Sequence, residues 1–367
     1  MKLSIQREQL LQPLQAITGV INSKNTLQIL LNVRVIASED EILLTATDID
    51  NELSCSFPHI ALETGEITLP AKKMQDILQA LPEGSTVNIE IEGTRALIKC
   101  GRSKFTLQCL PTDEFPVLDD IEFTTNVTLP KKDLRKILED VKQTMAVSDV
   151  RYFLNGLLLN IDGNNVTAIA TDGHKLGASS IELTEGDYEP VEVIIPRKGV
   201  FELIKLLNNE ASPVNLQISK NYLKVESLGL SFTTKLIEGR FPDYRTVIPR
   251  PGEKVIFAGR VELIKALERS CILLSEKSTG IKINVSQFQL RLSTHNKEQE
   301  ETEEIVEINY QGEEFSVSFN ISYLIDILKV FDTEMIRINM ADPNASALIR
   351  TIEDDDKLRF VIMPMRI

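Results

Sequence analysis

Apolar and polar residues alternate in short runs along the chain, and the runs are separated by stretches with a longer period. Thr86-Val87-Asn88-Ile89-Glu90-Ile91-Glu92 alternates strictly, as does Lys104–Cys109, and Arg95–Cys100 does so apart from Leu97, with turn residues Glu92-Gly93 and Cys100-Gly101 between them. Period two broken by such turns predicts antiparallel hairpins with one buried face. The stretch before them, 71–81, reads instead as an amphipathic helix.

This pattern recurs. Leu3–Leu11, Val127–Leu134 and Val255–Leu263 each read as a short strand entering a helix, and their starts lie 124 and 128 residues apart. A second strand–helix passage follows about 60–65 residues later in each block, at Ile67–Lys73, Val193–Gly199 and Val317–Ser322. Two or three strand-like stretches follow every helix. The sequence thus predicts an α+β fold of six βαβββ half-units, paired into three tandem domains over residues 1–125, 126–251 and 252–367. Proline, glycine and acidic residues cluster at the two boundaries. Units this long are whole domains rather than solenoid repeats, which favours a ring or arc with helices on one face and antiparallel sheets on the other.

Charge refines this picture. The 367 residues hold 54 acidic and 40 basic side chains, a net charge of −14 that taken alone argues against a nucleic-acid partner. The predicted helices (6–18, 71–81, 130–144, 196–207, 259–273 and 320–330) carry 15 basic and 9 acidic residues, so the excess acid lies elsewhere. Three helix starts pair proline with cations: Pro70-Ala71-Lys72-Lys73, Pro130-Lys131-Lys132 and Pro196-Arg197-Lys198. Proline is expected at the first helical position. Cations there oppose the helix dipole, which solvated lysines tolerate and a nearby phosphate would reward.

Candidate chemistry is sparse. The four cysteines form no CxxC pair, and the three histidines (His59, His174, His295) lack metal-ligand spacing, so neither zinc nor a secreted disulfide framework is predicted. No phosphate-binding loop, dinucleotide fingerprint or nucleophile elbow occurs. Asp172 and His174 in Ala170-Thr171-Asp172-Gly173-His174-Lys175-Leu176 could be drawn as a catalytic pair, but Asp-Gly after a strand is more simply a turn. No apolar run is long enough to span a membrane, and the first residues lack the apolar core of a signal peptide. The expectation is a cytoplasmic protein that is not an enzyme and needs no cofactor or metal; its association with the nucleoid is implied only by the resemblance described next.

Several long passages carry a resemblance: Val150–Gly156 (VRYFLNG), Ala170–Leu176 (ATDGHKL), Ile195–Val200 (IPRKGV), Glu238–Tyr244 (EGRFPDY) and Val361–Ile367 (VIMPMRI). With them in this order on a threefold repeat, the chain resembles the bacterial DNA sliding clamp family, beta subunits of the replicative DNA polymerase III holoenzyme, over its whole length. The resemblance implies a head-to-tail homodimeric ring around double-stranded DNA, a processivity factor without catalytic activity. Helices would line the hole and acidic sheets would face outward. DNA phosphates would be met, without sequence preference, by Lys24, Lys72, Lys73, Tyr152, Phe153, Arg197 and Lys198.

The resemblance further implies a pocket at the seam of the second and third domains. It would take short linear motifs, of the Gln-Leu-x-Leu-Phe type, from DNA polymerases, the clamp loader and mismatch-repair proteins. Its first part would be Leu154, Thr171, Gly173, His174, Lys175, Leu176, Pro242, Thr246 and Val247. Asn320, Tyr323, Val361, Ile362, Met363, Pro364, Met365 and Arg366 would complete it. The dimer interface would set Arg102, Lys104, Phe105 and Leu107 against Ile272, Leu273, Glu298, Glu300, Glu301, Glu303 and Glu304, a basic edge against an acidic one. Family members usually carry Arg where Lys175 stands, a proline in the Asn22–Gln28 loop, Tyr for Phe153 and Leu for Ile367. A clamp-fold scaffold that binds peptides without encircling DNA is the alternative.

Overall fold

The computed structural model describes residues 1–22, 26–118, 121–184, 186–207, 212–250, 252–274, 279–353 and 356–366. Lys24 and Ile367 therefore lie outside the described residues. Six βαβββ half-units follow one another. The first is β1 (Lys2–Gln6), α1 (Arg7–Ile17), β2 (Asn32–Ala37), β3 (Glu41–Thr47) and β4 (Asn51–Pro58). The second is β5 (Gly65–Pro70), α2 (Ala71–Ala80), β6 (Thr86–Glu92), β7 (Arg95–Cys100) and β8 (Ser103–Gln108). The third runs through β9 (Thr125–Pro130), α3 (Lys131–Val141), β10 (Gly156–Gly163), β11 (Asn165–Thr171) and β12 (Lys175–Glu182). The fourth holds β13 (Tyr188–Pro196), α4 (Arg197–Leu206), β14 (Pro213–Ile218), β15 (Tyr222–Ser227) and β16 (Leu230–Lys235). A short helix, α5 (Tyr244–Val247), leads to β17 (Lys254–Gly259), α6 (Arg260–Ser270), β18 (Gly280–Ser286), β19 (Gln289–His295) and β20 (Glu301–Asn309). The last is β21 (Phe315–Asn320), α7 (Ile321–Leu328), β22 (Met335–Met340), β23 (Ala347–Thr351) and β24 (Leu358–Ile362).

Helix α2 begins at Ala71 as expected, and the other predicted helices each begin one residue later than the sequence suggests. Pro70, Pro130 and Pro196 close strands and sit opposite Asn32, Pro213 and Gly156 in the sheets, so proline precedes the helix instead of opening it. Pro70 has φ −57° and ψ 104°, an extended conformation outside the helical well. A strand's last residue can dispense with its N–H donor, which is why proline fits there. The ends are also shorter than expected: α3 gives way to a 3₁₀ turn at Lys142–Thr144, and α6 stops at Ser270. The turn-like α5 was not foreseen; Asp243 caps it by accepting from the Arg245 N–H.

The chain forms two compact units, residues 1–132 with 201–236 and residues 133–200 with 237–367. In the first, one sheet has the order β1-β6-β7-β8 and another β5-β2-β3-β4-β16-β15-β14-β9. In the second, one sheet runs β13-β10-β11-β12-β24-β23-β22-β17-β20-β19-β18-β21. All pairings are antiparallel, and one rule generates them. The strand before each helix joins the sheet of the other half-unit in its domain: β1 pairs β6 while β5 pairs β2, and β17 pairs β22 while β21 pairs β18. No half-unit closes alone.

Each domain closes over leucine and isoleucine from its helices. In the third, Leu263 and Leu267 of α6 and Ile327 and Leu328 of α7 pack with Ile283, Leu292, Phe319 and Phe360, all buried. Each such side chain contributes about 1.5–3 kcal/mol relative to exposure.

The β3–β4 and β11–β12 turns are built alike. Thr47 Oγ1 donates to the Asn51 carbonyl at 2.9 Å and accepts from the Ile49 N–H at 3.0 Å. Thr171 Oγ1 donates to the Lys175 carbonyl at 2.7 Å and accepts from the Gly173 N–H at 3.0 Å. The middle residue is left-handed in both, with φ +84° at Ile49 and +89° at Gly173. Glycine adopts this freely, whereas a β-branched residue there is strained by roughly 1–2 kcal/mol. A Cβ at Gly173 would also stand 3.0 Å from the Arg151 guanidinium. The two positions should therefore respond oppositely in urea unfolding. Ile49→Gly should leave the midpoint unchanged or raise it, while Gly173→Ile should cost about 1–2 kcal/mol. Equal losses at both would show that neither backbone is strained.

Candidate functional site

The β11–β12 turn shapes a groove on the second unit. Asp172 Oδ1 accepts from the backbone N–H groups of His174 at 2.8 Å and Lys175 at 2.9 Å, so the carboxylate drawn above as a catalytic partner is engaged by its own turn. This is the Asp-Gly turn that the sequence predicts. It directs the Lys175 side chain inward and leaves His174 exposed.

Arg151 locks one rim. Its Nε and Nη2 donate to the two oxygens of Asp149 at 3.0 and 2.9 Å, and its backbone N–H donates to Asp149 Oδ1 at 2.8 Å. Nη2 also reaches the Asp172 carbonyl at 3.3 Å. The Asn155 side chain ties the loop from beneath, accepting from the Asp149 N–H and donating to its carbonyl, both at 2.8 Å. The Arg151 bonds, its side chain first and then its backbone N–H, hold the Asp149 carboxyl at a pKa of about 2.

Between turn and rim lies a cavity of about 220 Å³. Its walls come from Arg151, Phe153, Leu154, Thr171, Gly173, His174, Lys175, Leu176, Phe241, Pro242, Tyr244, Val247, Val361 and Met363. Ile169, Leu158 and Ile194 are buried in the same cluster as its lining residues Leu154, Leu176 and Phe241, an aliphatic floor. Strand β24 supplies one wall because it pairs with β12, Val361 opposite Leu176 and Ile362 opposite Lys175. The chain leaves β24 along the turn, with the Met363 N–H donating to the His174 carbonyl at 2.9 Å.

The expected pocket residues divide accordingly. Leu154, Thr171, Gly173, His174, Lys175, Leu176, Pro242, Val247, Val361 and Met363 line the cavity. Ile362 does not: alternation along β24 turns it into the core of the third domain, where it is fully buried. Asn320 caps α7, accepting from the Ser322 and Tyr323 N–H groups. Thr246 donates to the Asp243 carbonyl and is exposed. Tyr323 does not line the cavity; it meets Lys175, whose ammonium lies 4.2 Å from its ring centre, and the Asp172 side chain. Pro364, Met365 and Arg366 lie beyond the walls, and the Met365 N–H donates to the Ser318 carbonyl.

Arg151, Phe241 and Tyr244 were missed, and Phe153 was expected at DNA instead. All four sit in passages already singled out, VRYFLNG and EGRFPDY. Their aromatic content flanking Pro242 was the available signal.

The cations expected at DNA occupy two first turns. Lys72 and Lys73 in α2 are exposed, and Lys72 Nζ pairs with Asp76 at 2.9 Å. Arg197 and Lys198 in α4 are half-buried; Arg197 Nη1 donates to the Met145 carbonyl at 3.3 Å. The Arg197 N–H also donates to the Asn155 carbonyl at 3.0 Å, which sets the Tyr152–Leu154 turn beside α4 and leaves the Tyr152 ring 58% exposed.

Of the expected interface residues, Lys104 lies exposed and Phe105 and Leu107 half-buried on β8, with Arg102 in the turn before it. Ile272 is 75% exposed beyond α6, and the neighbouring Leu273 carbonyl accepts from Asn296 at 3.2 Å. Glu301, Glu303 and Glu304 lie on β20, with Glu298 and Glu300 in the turn before it. Glu304 accepts both prongs of Arg269, and Glu303 pairs with Arg291 at 3.3 Å.

Comparison with known proteins follows the same division. Family models of the DNA polymerase III beta subunit match in order, the N-terminal domain over residues 1–119, the central over 128–243 and the C-terminal over 245–366. The beta sliding clamps of Vibrio cholerae and Escherichia coli K12 are 39% and 38% identical over 371 residues, covering all of both chains. The crystal structure of the DNA polymerase III subunit beta from Pseudomonas aeruginosa matches with a TM-score of 0.97 at 38% identity, covering both chains fully. The sliding clamp from that organism bound to griselimycin matches at 0.95, again over both full chains and at 38% identity.

The Asp149 clamp makes a pH prediction. The folded pKa lies below the ordinary carboxylate value near 3.9, so its stabilising contribution is present above that value and is lost as pH falls through about 2. A carbon NMR titration of this carboxyl should find its midpoint near 2 and, in Arg151→Ala, near the ordinary value. A midpoint near the ordinary value in the parent protein would refute the clamp.

Proposed function

The chain belongs to the DNA polymerase III beta subunit family, the bacterial sliding clamps, and we propose that two copies join head to tail into a ring that encircles duplex DNA. It acts there as a processivity factor, without catalysis of its own. It slides in the bacterial cytoplasm and tethers polymerases, clamp loader and repair proteins through the groove on the second unit. The three clamp domains are bounded as the sequence repeat suggests, near residues 125 and 251.

The observation that carries the ring is an arithmetic of edges. Within the chain, β4 pairs β16 and β12 pairs β24. By the internal repeat β20 is the third member of the β4, β12 series, and β8 the third of the β16, β24 series. Among the described residues β8 ends its sheet, and β20 meets β17 only at Ile308 and Asn309, so along the rest of its outer edge it lacks a seam partner. Exposed strand edges are templates for pairing, and two such edges on one chain make a heterologous contact that closes when a second copy supplies both complements.

The repeat also supplies a register. Phe232 faces Leu53 and Phe360 faces Gly177 at the closed seams. Both phenylalanines are buried, whereas Phe105, their counterpart on β8, is half-exposed. Equivalent pairing sets Phe105 opposite Thr302 of the partner chain, Lys104 opposite Glu303 and Leu107 opposite Glu300. Lys104→Glu should then shift sedimentation toward monomer by roughly fivefold in the dissociation constant, and adding Glu303→Lys should restore it. Failure of the double exchange to recover the dimer would break this register, and a monomer at every concentration in the parent would favour the scaffold alternative.

Cations at the α2 and α4 starts meet phosphate without reading bases, so retention depends on topology and contacts stay loose and salt-sensitive. Replacing Lys72, Lys73, Arg197 and Lys198 with Glu should reduce loader-dependent retention on circular plasmid to background while leaving the sedimentation of the dimer unchanged. The parent protein should be lost when the plasmid is linearised; equal retention on circles and linear DNA would overturn encirclement. The groove, apolar with a Met363 wall and few polar groups, suits short linear motifs from several partners in turn. The griselimycin complex of the Pseudomonas aeruginosa clamp supports a ligand pocket in the family.

A further inference from the structure

We infer that the Lys175 side chain is an amine nucleophile for small anionic acyl donors, acyl phosphates in particular, and that its Nε-acylation closes the groove. The second half rests on reading the groove as a peptide site. Lys175 opens β12 and is only 7% exposed, yet it forms part of the wall of the 220 Å³ cavity. Its ammonium has weak holders. Nζ stands 4.2 Å from the Tyr323 ring centre and 3.9 Å from Asp326 Oδ2. A charge-assisted hydrogen bond would be roughly 2.7–2.9 Å long, so neither contact is one.

The charged groups facing the amine come from three elements. Asp172 on the turn and Asp326 on α7 favour the ammonium, whereas Arg197 on α4 opposes it. Burial, the largest effect, acts with Arg197 against the two carboxylates and pushes the Lys175 amine below the ordinary lysine value. The free amine is therefore more abundant near neutral pH than at a solvated lysine. Arginine at this place could not serve, since a guanidinium stays protonated and is a poor acyl acceptor.

The step balances with the donor named. The amine lone pair attacks the acyl carbon, the acyl carbon–oxygen bond to phosphate breaks, inorganic phosphate leaves, and one N–H proton passes to water. Nothing is oxidised. Arg197, whose charge already acts on the amine, offers the donor's phosphate a counter-charge. The product amide has lost its attraction for the Tyr323 ring and Asp326, and the acyl group extends into the cavity that a peptide side chain would fill.

Acetyl phosphate is the probe. The full-length protein is incubated with it across a pH series from neutral to alkaline, and acetylation is mapped by mass spectrometry at Lys175, Lys72 and Lys73. Lys175 should react several-fold faster than the other two near neutral pH, and its rate should level off at lower pH. Binding of a labelled Gln-Leu-x-Leu-Phe peptide should weaken about tenfold after treatment. Lys175→Arg, whatever its untreated affinity, should show no treatment-dependent loss. An unmodified Lys175 beside acetylated Lys72 and Lys73, or one that titrates with them, overturns the inference. An untreated protein that fails to bind the peptide overturns the groove reading and with it the closure, while the acetylation rates still decide nucleophilicity.

Discussion

Backbone hydrogen bonding at strand edges is the constraint on which the rest of this fold depends. Each pre-helix strand leaves its own half-unit for the sheet of the neighbour, so a half-unit is an open structure and a domain is two of them interlocked. The interlocked domain still ends in two raw edges. An unpaired edge presents a row of N–H and C=O groups, and the chain meets this by joining edge to edge, β4 to β16 and β12 to β24. Hydrophobic burial makes each domain stable; edge pairing determines that domains come in a closed series.

The groove is a by-product of one such seam. Because β24 pairs with β12, its exit is guided along the β11–β12 turn, and Val361 and Met363 become a wall facing Leu176 and His174. The same seam in the first unit, β4 with β16, starts from a turn with the same threonine and aspartate bonds. There Ile49 occupies the left-handed position and Asn51 stands where the second unit has Lys175. The backbone is shared, and the side chains decide which seam carries an apolar groove with a buried amine.

Much of this was legible in the sequence because it is written in periodicity. Period-two runs gave every half-unit its hairpins, and recurrence gave three domains, since both follow from local patterning that repeats. What failed was short-range and depended on tertiary context. Pro70, Pro130 and Pro196 looked like helix openers, but the pairing of the last strand residue with a distant partner held them extended. Ile362 looked like groove because its neighbours are; a one-residue step along β24 puts it on the opposite face. Arg151 was invisible as a rim residue because its role rests on Asp149 and on the Asp172 carbonyl, contacts that no spacing rule announces.

The net charge illustrates the difference between a sum and a placement. A total of −14 describes a chain that phosphate should repel at long range. Yet the cations proposed to meet phosphate stand in the first turns of α2 and α4, where the helix dipole makes them slightly unfavourable in isolation. A cation in that position strengthens the positive end of the helix, so an anion there meets dipole and ammonium together, at short range and with steep salt dependence. Lys72 pairs with exposed Asp76 one turn on, an interaction worth a few tenths of a kcal/mol. Such a pair is readily exchanged for phosphate and readily reformed. For the proposed travel along DNA, contacts of that strength are the useful ones, because no single one of them holds the protein in place.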